Sequence, residues 1–264
     1  HMDKIINYDP ELGFITIEPG VTQKQLAKFL KINGDKHIVA VTGSSPSTSI
    51  IGNYLERGFG ISSYMDHASA VTDLEAVLPD GQIWSDLNEL RKNNTGYDLR
   101  NLLVGCEGTL GIITAAVLKL YPQLRQVETA FVSLNDLNDS LKLLTAARTD
   151  SGGTLSSFEL IPKLGIELAE KYVPGCRNPL QTSSDWNIIM VYSSTANGTD
   201  LRLALENTLE NALNNSVIND AVISASETQT AQIWKIREGL VEAQKMAGER
   251  YTYDVSVKIS QVPE

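Results

Sequence analysis

Three stretches of the chain combine residue types that could hold or transform a ligand. The first is Gly43-Ser44-Ser45-Pro46-Ser47-Thr48-Ser49-Ile50-Ile51-Gly52-Asn53, where small side chains let a ligand approach the backbone just ahead of a helix. Free N–H groups and the positive end of a helix dipole at such a point make a cradle for phosphate or another anion. A capping device built from the same serines is the competing reading. The stretch is no P-loop, because Gly-Lys-Ser/Thr is missing, and no dinucleotide fingerprint, because Gly58-Phe59-Gly60 lacks a third glycine.

The second stretch, Gly105-Cys106-Glu107-Gly108-Thr109-Leu110-Gly111-Ile112-Ile113-Thr114, feeds closely spaced glycines into a β-branched run. Such backbone packs tightly against something flat or bulky, or forms a strained turn that starts a strand. Glu107 between glycines is an unusual place for a carboxylate unless it accepts a hydrogen bond. The third stretch is Trp234-Lys235-Ile236-Arg237-Glu238. Arg237 sits on a helix rich in polar residues, so a solvated face competes with a bidentate clamp for a substrate carboxylate. His67, in Tyr64-Met65-Asp66-His67, leaves a catalytic base, a cofactor contact and a structural role open.

The elements that must position these residues follow from periodicity. Gly13 to Glu18 alternates as a strand and stops at Pro19-Gly20. Thr22 and Gln25 form a capping box for a helix through Leu26, Phe29 and Leu30 that ends at Asn33-Gly34. A short strand from His37 to Val41 leads into the first stretch, and a short helix from about Ile50 to Glu56 follows it. Leu74 to Leu78 and Gln82 to Ser85 flank Pro79-Asp80-Gly81, a hairpin signal, and Gly111 to Tyr121 reads as a buried strand closed by Pro122.

From about Val127 strands alternate with longer helices. Strands are expected at Val127 to Leu134, Phe158 to Ile161, Trp186 to Tyr192 and Val217 to Ser224. Helices are expected at Asn138 to Arg148, with Leu141 and Leu144 on the apolar face, at Pro162 to Tyr172, through Leu201, Leu205, Leu209 and Leu213, and at Ser226 to Ala247. Tyr251 to Lys258 alternates strictly and reads as a last strand. A domain boundary is expected near residues 122–127.

Composition excludes several classes. The 264 residues are 42% hydrophobic and 20% charged, an ordinary globular balance. A net charge of −10 argues against a nucleic-acid surface, which needs clustered Lys and Arg. No apolar run approaches the roughly eighteen residues of a membrane span, and no signal-peptide pattern opens the chain. His1-Met2 reads as a cloning remnant and is set aside. Cys106 and Cys176 are too few for a disulfide framework and fit a reducing, cytoplasmic setting. With them, His37 and His67 make a zinc site of the usual His/Cys type implausible.

Taken together, these segments carry a resemblance. Gly52-Asn53-Tyr54-Leu55-Glu56-Arg57-Gly58-Phe59-Gly60, then Tyr64-Met65-Asp66-His67 and the hairpin Leu78-Pro79-Asp80-Gly81, resemble the vanillyl-alcohol oxidase and p-cresol methylhydroxylase (PCMH) flavoproteins. Arg91-Lys92-Asn93-Asn94-Thr95-Gly96-Tyr97-Asp98-Leu99 and Glu107 to Thr114 are similar to the D-2-hydroxyglutarate and D-lactate dehydrogenase branch of the same FAD superfamily, which includes the glycolate oxidase flavin subunit. Phe158-Glu159-Leu160, Pro174-Gly175-Cys176-Arg177, Trp234 to Glu238 and Tyr253-Asp254-Val255-Ser256 continue that likeness. The better-matching branch changes near Ser85.

The resemblance implies an α+β chain: the second subdomain of a PCMH-type FAD-binding domain over residues 3–124, and an α/β cap with an antiparallel sheet over 125–264. It implies that Gly43, Ser44, Ser49, Ile51, Gly52, Asn53, Arg57, Gly58 and Tyr64 line FAD. Glu107, Gly108, Gly111, Ile112 and Ile113 would meet it largely through backbone, and Arg237 would hold a substrate carboxylate. The implied activity is oxidation of a 2-hydroxyacid or related alcohol by hydride transfer to flavin. The implied partners are a small-molecule substrate and an acceptor such as a quinone or a protein. The chain departs from the family pattern at Thr252, where a lysine is usual, and at Lys258, where a proline is expected. The family's glycine-rich diphosphate loop is expected before this chain and its His-rich Gly-Asp-Gly-Asn motif after it, and no metal ligands are expected within it. A non-catalytic domain that folds without flavin and serves in binding or assembly is the alternative.

Overall fold

The computed structural model describes residues 1–39, 45–55, 67–88, 90, 94–182, 184–253 and 255–264, without the side chains of residues 67 and 68. The chain divides into two compact units, His1–Gln123 and Leu124–Glu264.

In the first unit the elements run β1 (Ile5–Asp9), β2 (Phe14–Ile17), α1 (Gln23–Ile32), β3 (His37–Ile38), α2 (Ile50–Leu55), α3 (His67–Ala70), β4 (Val71–Val77), β5 (Ile83–Ser85), α4 (Leu99–Leu103), β6 (Ile112–Lys119) and β7 (Tyr121–Pro122). Five strands form one antiparallel sheet in the order β1-β2-β6-β4-β5, and β3 pairs with β7 separately. The strand β6 is central because its run Ala115 to Leu118 is buried throughout and has neighbours on both edges. The capping box of α1 is complete: the Gln25 amide donates to Thr22 Oγ1 at 3.2 Å, and the Thr22 amide donates to Gln25 Oε1 at 2.9 Å. Leu26 and Leu30 from α1 and Ile50, Ile51 and Tyr54 from α2 pack with Ile15, Ile17, Leu74 and Leu118 of the sheet in one core. Burying each such side chain contributes about 1.5–3 kcal/mol. The β4–β5 hairpin closes as the Asp80-Gly81 signal requires, with Gly81 at φ 84° and its amide 2.9 Å from the Leu78 carbonyl.

The second unit runs β8 (Gln126–Leu134), α5 (Leu137–Asp150), β9 (Leu155–Pro162), α6 (Lys163–Tyr172), β10 (Trp186–Ser194), α7 (Leu201–Asn214), β11 (Asp220–Ile223) and α8 (Glu227–Ala247). Its strands form one antiparallel sheet in the order β11-β8-β10-β9. Helices cover both faces. Leu143 and Ala147 of α5 and Leu201, Leu205 and Leu209 of α7 pack on Ala130, Val132, Leu134, Ile188, Met190 and Tyr192. On the other face Ile166 and Ala169 of α6 and Ile233 and Ile236 of α8 pack on Phe131, Ile161, Ile189 and Val191.

Three sequence expectations are corrected. The buried face of α5 is Ser140, Leu143 and Ala147, while Leu141 and Leu144 are half-exposed. The helix starts at Leu137, and the sheet lies a third of a turn from the stripe that the leucines alone suggest. On α7, Leu213 is exposed and Ala212 takes the buried position. The described residues of the alternating run after Arg250 form no strand: none of them pairs with a strand, and Tyr251, Tyr253, Val255 and Val257 are 92, 81, 77 and 60% exposed. Alternation specifies a face, but a strand exists only where a neighbour completes its hydrogen bonds.

Candidate functional site

Two consecutive turns build the second of the three stretches. Leu103 to Cys106 form a type II turn, with Val104 at φ −65°, ψ 118°, Gly105 at φ 83°, and the Cys106 amide 3.1 Å from the Leu103 carbonyl. Cys106 to Thr109 then form a type I′ turn. Its central residues Glu107 and Gly108 are both left-handed, at φ 50° and 77°, and the Thr109 amide meets the Cys106 carbonyl at 2.9 Å. Glu107 adopts this conformation without a glycine's freedom, at a cost of about 1–2 kcal/mol. Its exposed carboxylate has no hydrogen bond or ion pair among the described residues, so the acceptor role anticipated for it is unfilled.

The glycines serve different ends. At Gly111 an added Cβ would lie 3.0 Å from the Val77 carbonyl oxygen, so the flat object against which it packs is the neighbouring strand β4. At Gly108 an added Cβ would touch only Ile112 Cδ1, at 3.7 Å, so the backbone angle alone requires glycine.

The first stretch is held by residues 21–24. The amides of Gln23, Lys24 and Ile50 bond to the carbonyls of Thr48, Pro46 and Val21 at 3.0, 2.8 and 3.0 Å. Ser49 caps α2: its Oγ accepts from the Gly52 amide at 2.9 Å and donates to the Pro19 carbonyl. The helix is only six residues long and its Gly52 amide is already satisfied, so at Ser49 the stretch is a capping device. Asn53 turns its side-chain amide to Thr48 Oγ1, 3.1 Å away. Gly43, Ser44, Arg57, Gly58 and Tyr64, and the side chain of His67, lie outside the described residues.

The two stretches meet. Ser49, Ile51 and Gly52 line one side of a cavity of about 350 Å³, and Glu107, Gly108, Gly111, Ile112 and Ile113 line the other. Asn53 is not among the lining residues, whereas Pro19, Leu55, Leu103 and Cys106, which sequence reasoning passed over, are. Cys106 is half-buried and its position inside the double turn was the signal for it. The slot is apolar apart from the Ser49 hydroxyl, peptide groups and the Glu107 carboxylate. Ligand sites span about 300–1,000 Å³, and this slot lies at the small end of that range.

Arg237 belongs to the second unit. Its Nε donates to Glu159 Oε2 at 2.8 Å, and its two Nη atoms make no hydrogen bond among the described residues. Both side chains stay partly exposed, at 34 and 22%.

A feature that no motif announced lies elsewhere in the first unit. Asp73, on β4, is 6% exposed and faces a cavity of about 1160 Å³ lined also by Asp86, Asp98, Arg100 and residues 94–97. Burial first, and the neighbouring Asp86 charge second, push its carboxyl up to about 7, against the opposing effects of Arg100 and Thr72. Arg100 donates to the Val71 and Thr72 carbonyls and pairs with Asp98 at 2.8 Å. Among the described residues no group of three or more His, Cys, Asp or Glu could hold a metal ion, and no helix is long and apolar enough to cross a membrane.

Comparison with known proteins identifies the family and the fold. Residues 123–264 match the family described as FAD linked oxidases, C-terminal domain, and residues 1–86 match the FAD binding domain family. The chain is 34% identical to the mitochondrial D-2-hydroxyglutarate dehydrogenase of Arabidopsis thaliana, covering 99% of this chain and 47% of the relative. It is 26% identical to the D-2-hydroxyglutarate–pyruvate transhydrogenase of Saccharomyces cerevisiae, covering 98% and 52%. Among solved structures it is similar to p-cresol methylhydroxylase, at 18% identity and TM-score 0.67 over 89% of this chain and 50% of that one. It is also similar to alkyldihydroxyacetonephosphate synthase, at 16% identity and TM-score 0.70 over 93% and 46%. These structural likenesses show the fold, that of the PCMH-type FAD oxidases. The chain spans about half the length of the curated relatives it matches.

Proposed function

Because the chain belongs to the FAD-linked oxidase family, we propose that it forms part of an FAD-dependent oxidoreductase acting on D-2-hydroxyacids. Residues 3–124 are assigned to the second subdomain of the FAD-binding domain and 125–264 to the substrate cap. The observation that carries this reading is the meeting of Ser49, Ile51 and Gly52 with Glu107, Gly108, Gly111, Ile112 and Ile113 in one largely apolar slot. The second wall of that slot lies outside both family matches, so the geometry supports the reading independently.

When bound, FAD supplies the two-electron acceptor. The protein's own part is to bind, orient and exclude water. Ile112 and Ile113 offer apolar contact to a ring, and the Cys106–Thr109 turn presents peptide groups fixed by its left-handed angles. Arg237 offers the forked Nη pair that matches a substrate carboxylate. In the relatives named for it, the substrate is D-2-hydroxyglutarate, and we place this chain's substrate in that class. The electron acceptor is a quinone, a protein or a 2-oxoacid, the last suggested by the yeast relative's name. Two free thiols favour a reducing compartment. Relatives named as mitochondrial widen the cytoplasmic expectation to include mitochondria.

The test is FAD binding with Cys106 as reporter. FAD at ten times its Kd should retain absorbance at about 450 nm and slow Cys106 alkylation roughly tenfold, with buried Cys176 as the internal control. Protein that stays colourless and alkylates at an unchanged rate leaves the non-catalytic binding domain as the better reading. Within an active enzyme, Arg237→Lys should raise KM for 2-hydroxyacids sharply, since lysine lacks the fork.

A further inference from the structure

We infer that Glu159 is a positioning residue: it holds the Arg237 guanidinium by its Nε so that the Nη edge stays presented to a substrate carboxylate. The inference rests on the proposed role of Arg237 and adds to it a residue to which no chemistry has been attached.

The argument starts from register. Across the sheet of the second unit, Glu159, Ile189, Phe131 and Val222 stand in one row on β9, β10, β8 and β11. Ile189 and Phe131 are fully buried in the core beneath α6 and α8. Glu159 is the one charged member of this row, placed where the strand propensity of an apolar or β-branched residue would serve the fold better. A carboxylate beside an apolar row is costly unless it is paired, and its partner comes from 78 residues along the chain. Arg237 follows Ile236 and lies four residues after Ile233, both buried anchors of α8 on the same face. The helix therefore fixes where the arginine leaves the backbone, and Glu159 fixes where the guanidinium goes.

The mode of pairing is the informative part. A guanidinium has five N–H donors, one on Nε and four on the two Nη atoms. A salt bridge built to tie helix to sheet gains most from two parallel bonds, yet here only Nε is engaged, at 2.8 Å. The four remaining donors are left in the planar fork that recognises carboxylate. With the arginine 34% exposed, that fork is reachable.

The experiment measures the calorimetric Kd for D-2-hydroxyglutarate, and KM with kcat, on the FAD-loaded complete gene product. Arg237→Met first tests the underlying reading, and a Kd unchanged in that folded variant removes the clamp and this inference with it. Given a weakened Arg237→Met, Glu159→Ala should raise Kd and KM about tenfold with kcat changed much less. Glu159→Gln, which keeps an acceptor for Nε–H, should recover most of the loss. Glu159→Asp, one methylene shorter, should fall between them and decides the matter if the alanine variant does not fold. Two results overturn the inference while sparing the role of Arg237. One is a Glu159→Ala enzyme whose melting temperature drops with Kd and KM unchanged, which marks a purely structural pair. The other is tighter binding in Glu159→Ala, which marks Glu159 as a competitor for the fork.

Discussion

On the side of the four-stranded sheet that faces α5 and α7, the inward residues Ala130, Val132 and Leu134 of β8 and Ile188, Met190 and Tyr192 of β10 are apolar but for one hydroxyl. That hydroxyl is fully provided for: Tyr192 Oη lies 3.0 Å from Thr208 Oγ1 and 3.2 Å from the Ala147 carbonyl. On the opposite side Thr129, Ser133, Asn187 and Glu159 alternate with Phe131, Ile189 and Ile161, and two of these polar groups, Thr129 Oγ1 and Asn187 Oδ1, are buried without a partner among the described residues. One sheet thus carries a face that only stabilises and a face that keeps polar atoms at a cost of about 1–3 kcal/mol for each unsatisfied group. The costly face is the one that carries Glu159 and is covered by α8, the helix of Arg237. The purely apolar packing and the proposed substrate contact fall on opposite sides of the same strands.

That division can be broken experimentally, beginning with the largest effect. Leu205→Ala, beneath the apolar face and fully buried, should cost about 3 kcal/mol in chemical denaturation. A loss under about 1 kcal/mol would show that this face is not what holds the unit together.

The first unit offers a parallel case of a polar group kept on a sheet. The Asp73 carboxyl is raised to about 7 in the folded chain from an ordinary value near 3.8. The folded state therefore prefers the protonated form. Its contribution is complete below about pH 4, is lost as pH rises towards 7, and is constant above. Asp73→Asn should flatten that slope and gain about 2 kcal/mol at pH 8, half of the full linkage value because Asp73 faces an open cavity. Parallel stability–pH curves for the two proteins would falsify the assignment.

Tyr192→Phe on the apolar face should lose about 1 kcal/mol, the usual value of a buried hydrogen bond. Thr129→Val, nearly the same shape, should do the opposite and gain roughly 0.5–1 kcal/mol by removing an unsatisfied hydroxyl. Equal signs for these last two variants, read from urea midpoints, would erase the distinction between the faces.

Much of this was legible from local pattern. The Thr22/Gln25 box, the Asp80-Gly81 hairpin and the Ser226 start of α8 each depend on residues within a few positions of one another. The glycine run at 105–111 marked a tight turn because left-handed angles leave a compositional trace. Pairings made by the fold were not legible. Glu159 and Arg237 are 78 residues apart, and neither neighbourhood hints at the other. Asp73 drew no attention in the sequence, because its proton equilibrium is displaced by burial in the folded sheet and then by the Asp86 charge brought beside it. The leucine stripe of α5 misled because Ser140, which bonds the Leu137 carbonyl at 2.6 Å, turns inward and takes a place that a hydrophobicity count gives to leucine.

The extended run beyond α8 has a practical consequence for anyone handling the chain. Four aromatic or β-branched side chains on alternate positions, each more than half exposed, sit on a backbone whose described amides and carbonyls are unclaimed by any sheet. Segments of this kind template growth between molecules. Turbidity at high concentration should therefore start at residues 251–257, and a single lysine in place of Val255 should be the most effective way to keep concentrated solutions clear.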